Sequence, residues 1–243
     1  MAKKHQRTDE PGNVINNVIL AGIPDREFRL LRPHLQHVTF SVGKNLQGAG
    51  NGIDSSFFIN SGLVSLVIGT KSGKSVEVGI AGYEGMTGVA LTAGIKRTTH
   101  WAVTEAGGDG FKVKAAALEK ALDSAPELLK LANRFAAIQA MQVAQTAACN
   151  RLHGVAQRMA RWLLMTDDRV REKTLFVTHD FLSMMLGTDR TSVTAAAKSL
   201  QDRGVIAYSR GKLRILKRSQ LEKSACECYT AIQQFNRELG LET

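Results

Sequence analysis

Arg190, Thr191, Thr194 and Lys198 recur at the spacing that brings side chains to one face of a helix, in the segment DRTSVTAAAKSLQDRG that opens at Asp189. An arginine at the start of an exposed helix suits bidentate hydrogen bonding to O6 and N7 of guanine. Thr178, Thr188 and Ser192 carry short hydroxyls suited to phosphate contacts, which set position without reading sequence. The helix N-terminus adds its own attraction for phosphate. Val193, Ala197 and Leu200 would face inward. Arg210 and Lys212 fall in Ser209-Arg-Gly-Lys, between the apolar runs Val205–Tyr208 and Leu213–Leu216, which predicts a hairpin tip carrying cations. Taken singly, each of these is an ordinary solvated side chain. Their order within one short stretch is what carries the signal.

The elements that must position them follow from the pattern around them. Leu175–Val177 reads as a short strand, and Thr178 or Asp180 would cap a helix through Phe181, Leu182, Met185 and Leu186. Gly187 supplies the tight turn, and Gly204 ends the second helix. A helix, a glycine turn and a second helix with exposed N-terminal residues are the parts of a helix-turn-helix. Upstream, Gly154 precedes a helix through Val155, Met159, Trp162, Leu163 and Leu164. Before it, Ser124 with Glu127 forms a capping box, Pro126 is tolerated in a first turn, and neither glycine nor proline follows until Gly154. Along this long helix Leu128, Leu131, Phe135, Ile138, Gln142, Gln145, Cys149 and Leu152 follow steps of three and four. That seam predicts either a dimer interface or a core helix lying on its own domain, and the length of the helix favours the dimer. From about Gln36 to Val113 the chain is β-rich. The runs His37–Val42, Ser56–Ile59, Leu63–Ile68, Ser75–Ile80 and His100–Thr104 suggest a small all-β sandwich or barrel, with a hairpin at residues 69–73.

Charge is unevenly placed. Of a net +10, residues 151–218 alone carry 14 Lys/Arg against 6 Asp/Glu. Such an excess suits a polyanionic partner or a solvated basic surface. The polar start MAKKHQRTDEPG has no apolar core of a signal peptide, and no apolar run is long enough to span a membrane, which predicts a protein without membrane association. Cys149, Cys226 and Cys228 make an odd count that fits a reducing cytoplasm. Gly79, Gly82, Gly85 and Gly88 do not form a dinucleotide fingerprint, and no HExxH, GxSxG or P-loop pattern is present, so no enzyme is expected.

The stretch from Val177 to Leu216, VTHDFLSMMLGTDRTSVTAAAKSLQDRGVIAYSRGKLRIL, closely resembles the DNA-binding domain of the Crp/Fnr family of bacterial transcription regulators. The resemblance implies an α+β chain. An N-terminal β-roll, a cyclic-nucleotide-binding-like jelly roll, would take residues 1–123, a dimerisation helix 124–152 and a winged helix-turn-helix with a C-terminal helix 153–243. It further implies a homodimer on double-stranded DNA with a palindromic operator, and RNA polymerase as a further partner. Where the family's recognition helix commonly continues from Arg to Glu and a second basic residue, this chain has Thr191 and Ala195, which implies a different or looser target sequence. A nonspecific DNA-binding or interaction module on the same scaffold is the rival reading.

The family's phosphate cassette is degraded here. Glu84 is separated from Gly82 by Tyr83, and Arg97 and Thr98 follow at unusual spacing without the expected alanine. Glu84, Arg97 and Thr98 are the candidate effector pocket, and cyclic AMP is not expected to bind. No cofactor is assigned. No metal is assigned either: Cys226 and Cys228 are too close for a typical pair, the sequence offers no third and fourth ligand, and His34 and His37 read as surface histidines.

Overall fold

The structure, a computed structural model, describes residues 6–170 and 174–237; the outer limits of the expected first and last domains lie outside them. By contacts the chain divides into two compact units, residues 1–66 with 80–139 and residues 67–79 with 140–243.

The first unit is built on β-strands after two short helices, α1 (Val18–Gly22) and α2 (Asp25–Leu31). The strands are β1 (Gln36–Phe40), β2 (Asn45–Gln47), β3 (Ser55–Ile59), β4 (Leu63–Gly69), β5 (Ser75–Ala81), β6 (Trp101–Ala106) and β7 (Gly108–Lys114). They form one sheet in the order β1-β7-β3 and another in the order β2-β6-β4-β5. Strand β7, unmarked in the sequence reading, runs antiparallel to both neighbours, with His37 opposite Phe111 and Phe58 opposite Phe111. Its glycines disguise it. At Gly110 a Cβ would stand 2.5 Å from the Phe58 carbonyl oxygen, so the close pairing of β3 and β7 requires the missing side chain. Phe58 and Phe111 are fully buried at this crossing. Asn17 is buried as well: it caps α1 through Leu20 N–H and donates to the carbonyls of Ile59 (2.7 Å) and Gly85 (2.8 Å).

After α3 (Ala115–Leu122), the long helix α4 runs from Pro126 to Leu152, about 40 Å at 1.5 Å per residue. Its N-terminus is not closed by the expected Ser124–Glu127 box. Buried Glu27 accepts from Leu128 N–H at 2.9 Å, while Glu127 pairs outward with Lys130. A cap reaching from 101 residues away in sequence leaves no local signature.

The expected dimer seam is also corrected. Leu128, Phe135, Ile138 and Gln142 are buried within the single chain. Leu131 lies against Gly22, the Phe135 ring occupies the space beside Gly85, and Gln145 Nε2 donates to Cys228 Sγ at 3.1 Å. The apolar seam therefore serves the chain's own interior. The opposite side of α4, with Ala137, Ala140, Met141, Ala144, Ala147 and Ala148, is exposed, as is Leu152 at the end of the expected seam.

The second unit continues with α5 (Val155–Asp167), β8 (Leu175–Phe176), α6 (His179–Met185), α7 (Arg190–Asp202), β9 (Ile206–Ser209), β10 (Lys212–Ile215), α8 (Arg218–Ser224) and α9 (Cys228–Arg237). The small sheet has the order β8-β10-β9. Arg218 fastens α8 to the end of α5 by donating to Asp167 and Asp168, with Tyr229 OH on the same Asp168. The expectation that Cys226 and Cys228 lack further ligands fails here. Folding brings Cys149 and His153, from the end of α4, to the α8–α9 junction. No helix among the described residues is long and apolar enough to cross a membrane.

Replacing Glu27 by Ala should lower stability by about 1–2 kcal/mol, the usual size of a lost helix cap. Ser124→Ala should leave the denaturation midpoint unchanged. A midpoint that moves for Ser124 and not for Glu27 would reassign the cap.

Candidate nucleic-acid interface

The turn between α6 and α7 sets the geometry. Thr178 caps α6 by accepting from Phe181 N–H at 3.1 Å, and Asp189 caps α7 by accepting from Ser192 N–H at 2.8 Å. Between them Gly187 adopts φ +56°, and a Cβ there would meet Val76 Cγ2 at 2.8 Å. Val193, Ala196, Ala197 and Leu200 are buried, which turns Arg190, Thr191, Thr194 and Lys198 outward as expected.

Of the hydroxyls expected to meet nucleic acid, three are engaged within the protein: Thr178 as the α6 cap, and Ser192 and Thr194 on α7. Ser192 Oγ donates to Asp189 Oδ2 at 2.7 Å. Thr194 Oγ1 donates to the Arg190 carbonyl at 2.9 Å and lies 2.9 Å from His179 Nδ1. The Ser192 side chain and amide hold the exposed Asp189 carboxyl below the ordinary carboxylate range. The α7 N-terminus is thus occupied by its own carboxylate, and attraction for phosphate falls to the cations around it. Thr188, half-buried, belongs to the turn itself, its N–H donating to the Ser183 carbonyl at 3.0 Å. Thr191 and Thr178 are exposed.

Arg190 keeps one partner, Asp180, with Nε 3.6 Å from Oδ1 and both side chains largely exposed. An exposed pair of this kind holds the side chain weakly, by about 1 kcal/mol or less, and yields to a better acceptor. Asp180, read in the sequence only as a candidate helix cap, and His179, which carried no signal there, meet Arg190 and Thr194 from the start of α6. Their reach across the turn appears only once the two helices are folded together.

The wing is a two-residue hairpin. Lys212 pairs with Ser209, leaving Arg210 and Gly211 as the turn with φ of 50° and 76°. Positive φ at both central positions matches the twist of the flanking strands, and Arg210 carries its charge to the tip at the cost of a left-handed backbone. Lys212 is exposed, its Nζ 5.9 Å from the centre of the exposed Phe176 ring. Arg214, two residues on and also exposed, adds a cation to the same face of β10. The period of two could have revealed it.

The expected effector residues are not gathered in the same way. Glu84 is buried, Arg97 is exposed, and Thr98 is buried with its hydroxyl 3.0 Å from His100 Nδ1. An exposed arginine lacks the low-dielectric surroundings in which a phosphate pair is strongest.

Comparison with known proteins agrees with this geometry. Residues 157–224 match the family model of the Crp-like helix-turn-helix domain. The comparison with curated proteins finds no match. The solved structure of FixK2 from Bradyrhizobium japonicum is similar with a TM-score of 0.68 and 14% identity, over 79% of this chain and 98% of that one. The global regulator CLP of Xanthomonas campestris, described as c-di-GMP responsive, gives 0.65 and 14%, over 79% and 99%. A CRP-family transcriptional regulator from Thermus thermophilus gives 0.63 and 19%, over 77% and 96%. Identities this low establish the fold, and the domain match establishes the DNA-binding module. Residues 157–224 are thus a Crp-like helix-turn-helix domain, and the chain has the fold of the Crp/Fnr regulators.

Gly187→Ala and Gly204→Ala separate backbone strain from steric overlap. Both glycines have positive φ, but a Cβ at Gly204 meets nothing nearer than Lys217 Nζ at 3.8 Å. Each alanine should cost about 1–2 kcal/mol for the left-handed backbone. Gly187→Ala should lower the thermal midpoint further, because Val76 must also move. Equal losses would show that the Val76 contact is readily relieved.

Proposed function

We propose that this protein is a homodimeric, sequence-specific transcription regulator of the cytoplasm, in which α7 enters the major groove. The observation that carries this reading is the exposed first turn of α7, with Arg190 and Thr191 outward and the opposite side of the helix buried. Arg190 reads a base, with Thr191 beside it. Thr178, Thr188, Lys198, Arg210 and Lys212 hold the phosphate backbone, and Arg214 joins them on the wing. Ser192 and Thr194 act mainly by shaping the helix start, since their hydroxyls are engaged there.

Dimerisation is assigned to the exposed side of α4. Ala137, Met141, Ala144 and Ala148 recur at steps of four, three and four, and small side chains let two helices approach closely. Paired α7 helices would then meet half-sites about one turn of DNA apart, roughly 34 Å, on a palindromic operator. RNA polymerase is the further partner of a regulator so placed. The proposed division is a β-roll sensor over 1–123, a dimerisation helix over 124–152 and a winged helix-turn-helix with a C-terminal helix over 153–243. The sensor's effector is a small molecule other than cyclic AMP, a reading supported by the separate settings of Glu84 and Arg97.

Selection of bound duplexes from a random pool tests the specificity. Arg190→Ala should cost about 1–3 kcal/mol on the selected site and relax preference at one position in each half-site. Lys212→Ala should weaken all duplexes alike and reduce the salt slope by about one. A pool that yields no preferred sequence would favour the nonspecific module.

Met141→Glu together with Ala144→Glu should convert dimers to monomers in sedimentation, with the fold retained. A doubly charged variant that stays dimeric would place the interface elsewhere.

A further inference from the structure

The three cysteines and one histidine of the second unit form a cluster that the reading of α7 and the wing does not use. Cys149 lies in the last turn of α4 and His153 directly after its end, with His153 N–H donating to the Cys149 carbonyl at 3.1 Å. Cys226 and Cys228 flank the start of α9. Their ligand atoms all lie within 4.8 Å of one another. Cys149 Sγ is 3.4 Å from Cys226 Sγ, and Cys228 Sγ is 3.5 Å from His153 Nδ1. Tetrahedral zinc, with Zn–S near 2.3 Å and Zn–N near 2.0 Å, spaces its ligand atoms about 3.5–3.8 Å apart. The cluster is therefore of the size that surrounds one ion. An iron–sulfur cluster distributes its thiolates over several irons and needs them farther apart.

We propose that Cys149, His153, Cys226 and Cys228 bind a single zinc ion. The surroundings of the four support the assignment independently of their spacing. His153 presents Nδ1 to the thiols while Nε2 lies 3.1 Å from Glu227 Oε1, the arrangement in which a carboxylate orients a metal-binding imidazole. Gln145 Nε2 donates to Cys228 Sγ at 3.1 Å, a bond that a thiolate accepts better than a thiol. Three thiolates and a neutral imidazole leave a zinc site with net charge −1. Buried Arg158 and Arg161 interact electrostatically with Cys149, and Arg158 Nε and Nη2 and Arg161 Nε are buried without hydrogen-bond partners among the described residues. Cationic donors held in that position suit an anionic metal centre. The three thiols are 0–4% exposed, which closes the site to solvent and fits a structural ion rather than a catalytic one with an open position. The ion would clamp the α8–α9 junction to the end of α4.

The rival use of the same atoms is a Cys149–Cys226 disulfide, which would leave Cys228, His153 and the Glu227 contact without a role. The full chain, purified without chelator under reducing conditions, should carry about one zinc per chain by elemental analysis. Cys226→Ser and His153→Ala should each remove most of it. Because a buried substitution can unfold the unit, Glu227→Gln provides a second variant with all four ligands intact, expected to bind zinc about 10–100-fold more weakly by competition with a chromophoric chelator. Cobalt added to the metal-free wild type should give the intense ligand-field bands of a tetrahedral site and a sulfur-to-cobalt charge-transfer band. Zinc-free protein with only the pale spectrum of octahedral cobalt would overturn the proposal, as would zinc content unchanged in Cys226→Ser. None of these readouts involves DNA, so the outcome is separate from that of the α7 assignment.

Discussion

Val193, Ala197 and Leu200 are buried along one side of α7, and this burial governs what the other side can do. Each large apolar side chain contributes about 1.5–3 kcal/mol when removed from water. Rotating α7 about its axis would expose that row, so the helix has one favourable seating against α5 and α6. Arg190, Thr191 and Lys198 face solvent as a consequence. Gly187 is part of the same constraint: its positive φ and its closeness to Val76 fix where α6 stops and α7 begins.

Within that seating, polar groups compete for the same few atoms. The α7 N-terminus is attractive to any anion, and Asp189 takes it first, aided by Ser192. The depressed Asp189 pKa has a simple linkage: the cap's contribution is present above the carboxyl's unfolded value and is lost as pH falls through the folded one. Near neutrality the cap is ionised. In the proposed DNA contact, the charges offered to phosphate would therefore come from Lys198, Arg210, Lys212 and Arg214, which face solvent.

The long helix α4 shows the same division between interior and surface. Its apolar residues are consumed by the chain's own core, and its alanines are left outside. A periodic apolar row predicts that a helix will be covered, but not by what. Glu27 at one end and the cysteine–histidine cluster at the other illustrate contacts made by residues remote in sequence.

The sequence by itself determined the order of elements from Leu175 to Leu216: the strand at Leu175, a helix start at Thr178 or Asp180, the Gly187 turn, a second helix opening at Asp189, and the Arg210–Gly211 tip. Each rests on local chemistry, a hydroxyl or carboxylate beside its own helix, or a glycine where φ must be positive. It marked five strands of the β-rich region and missed the three-residue β2 and also β7, the latter because Gly108 and Gly110 look like turn residues when their role is to admit the neighbouring backbone. Only the tertiary structure decided which side of α4 is covered, that Glu27 is its cap, that Ser192 and Thr194 are engaged at home, and that Cys149 and His153 join Cys226 and Cys228. Those outcomes depend on distances between segments separated by tens of residues, and a side-chain type carries no record of which distant atom will lie beside it once the core has closed.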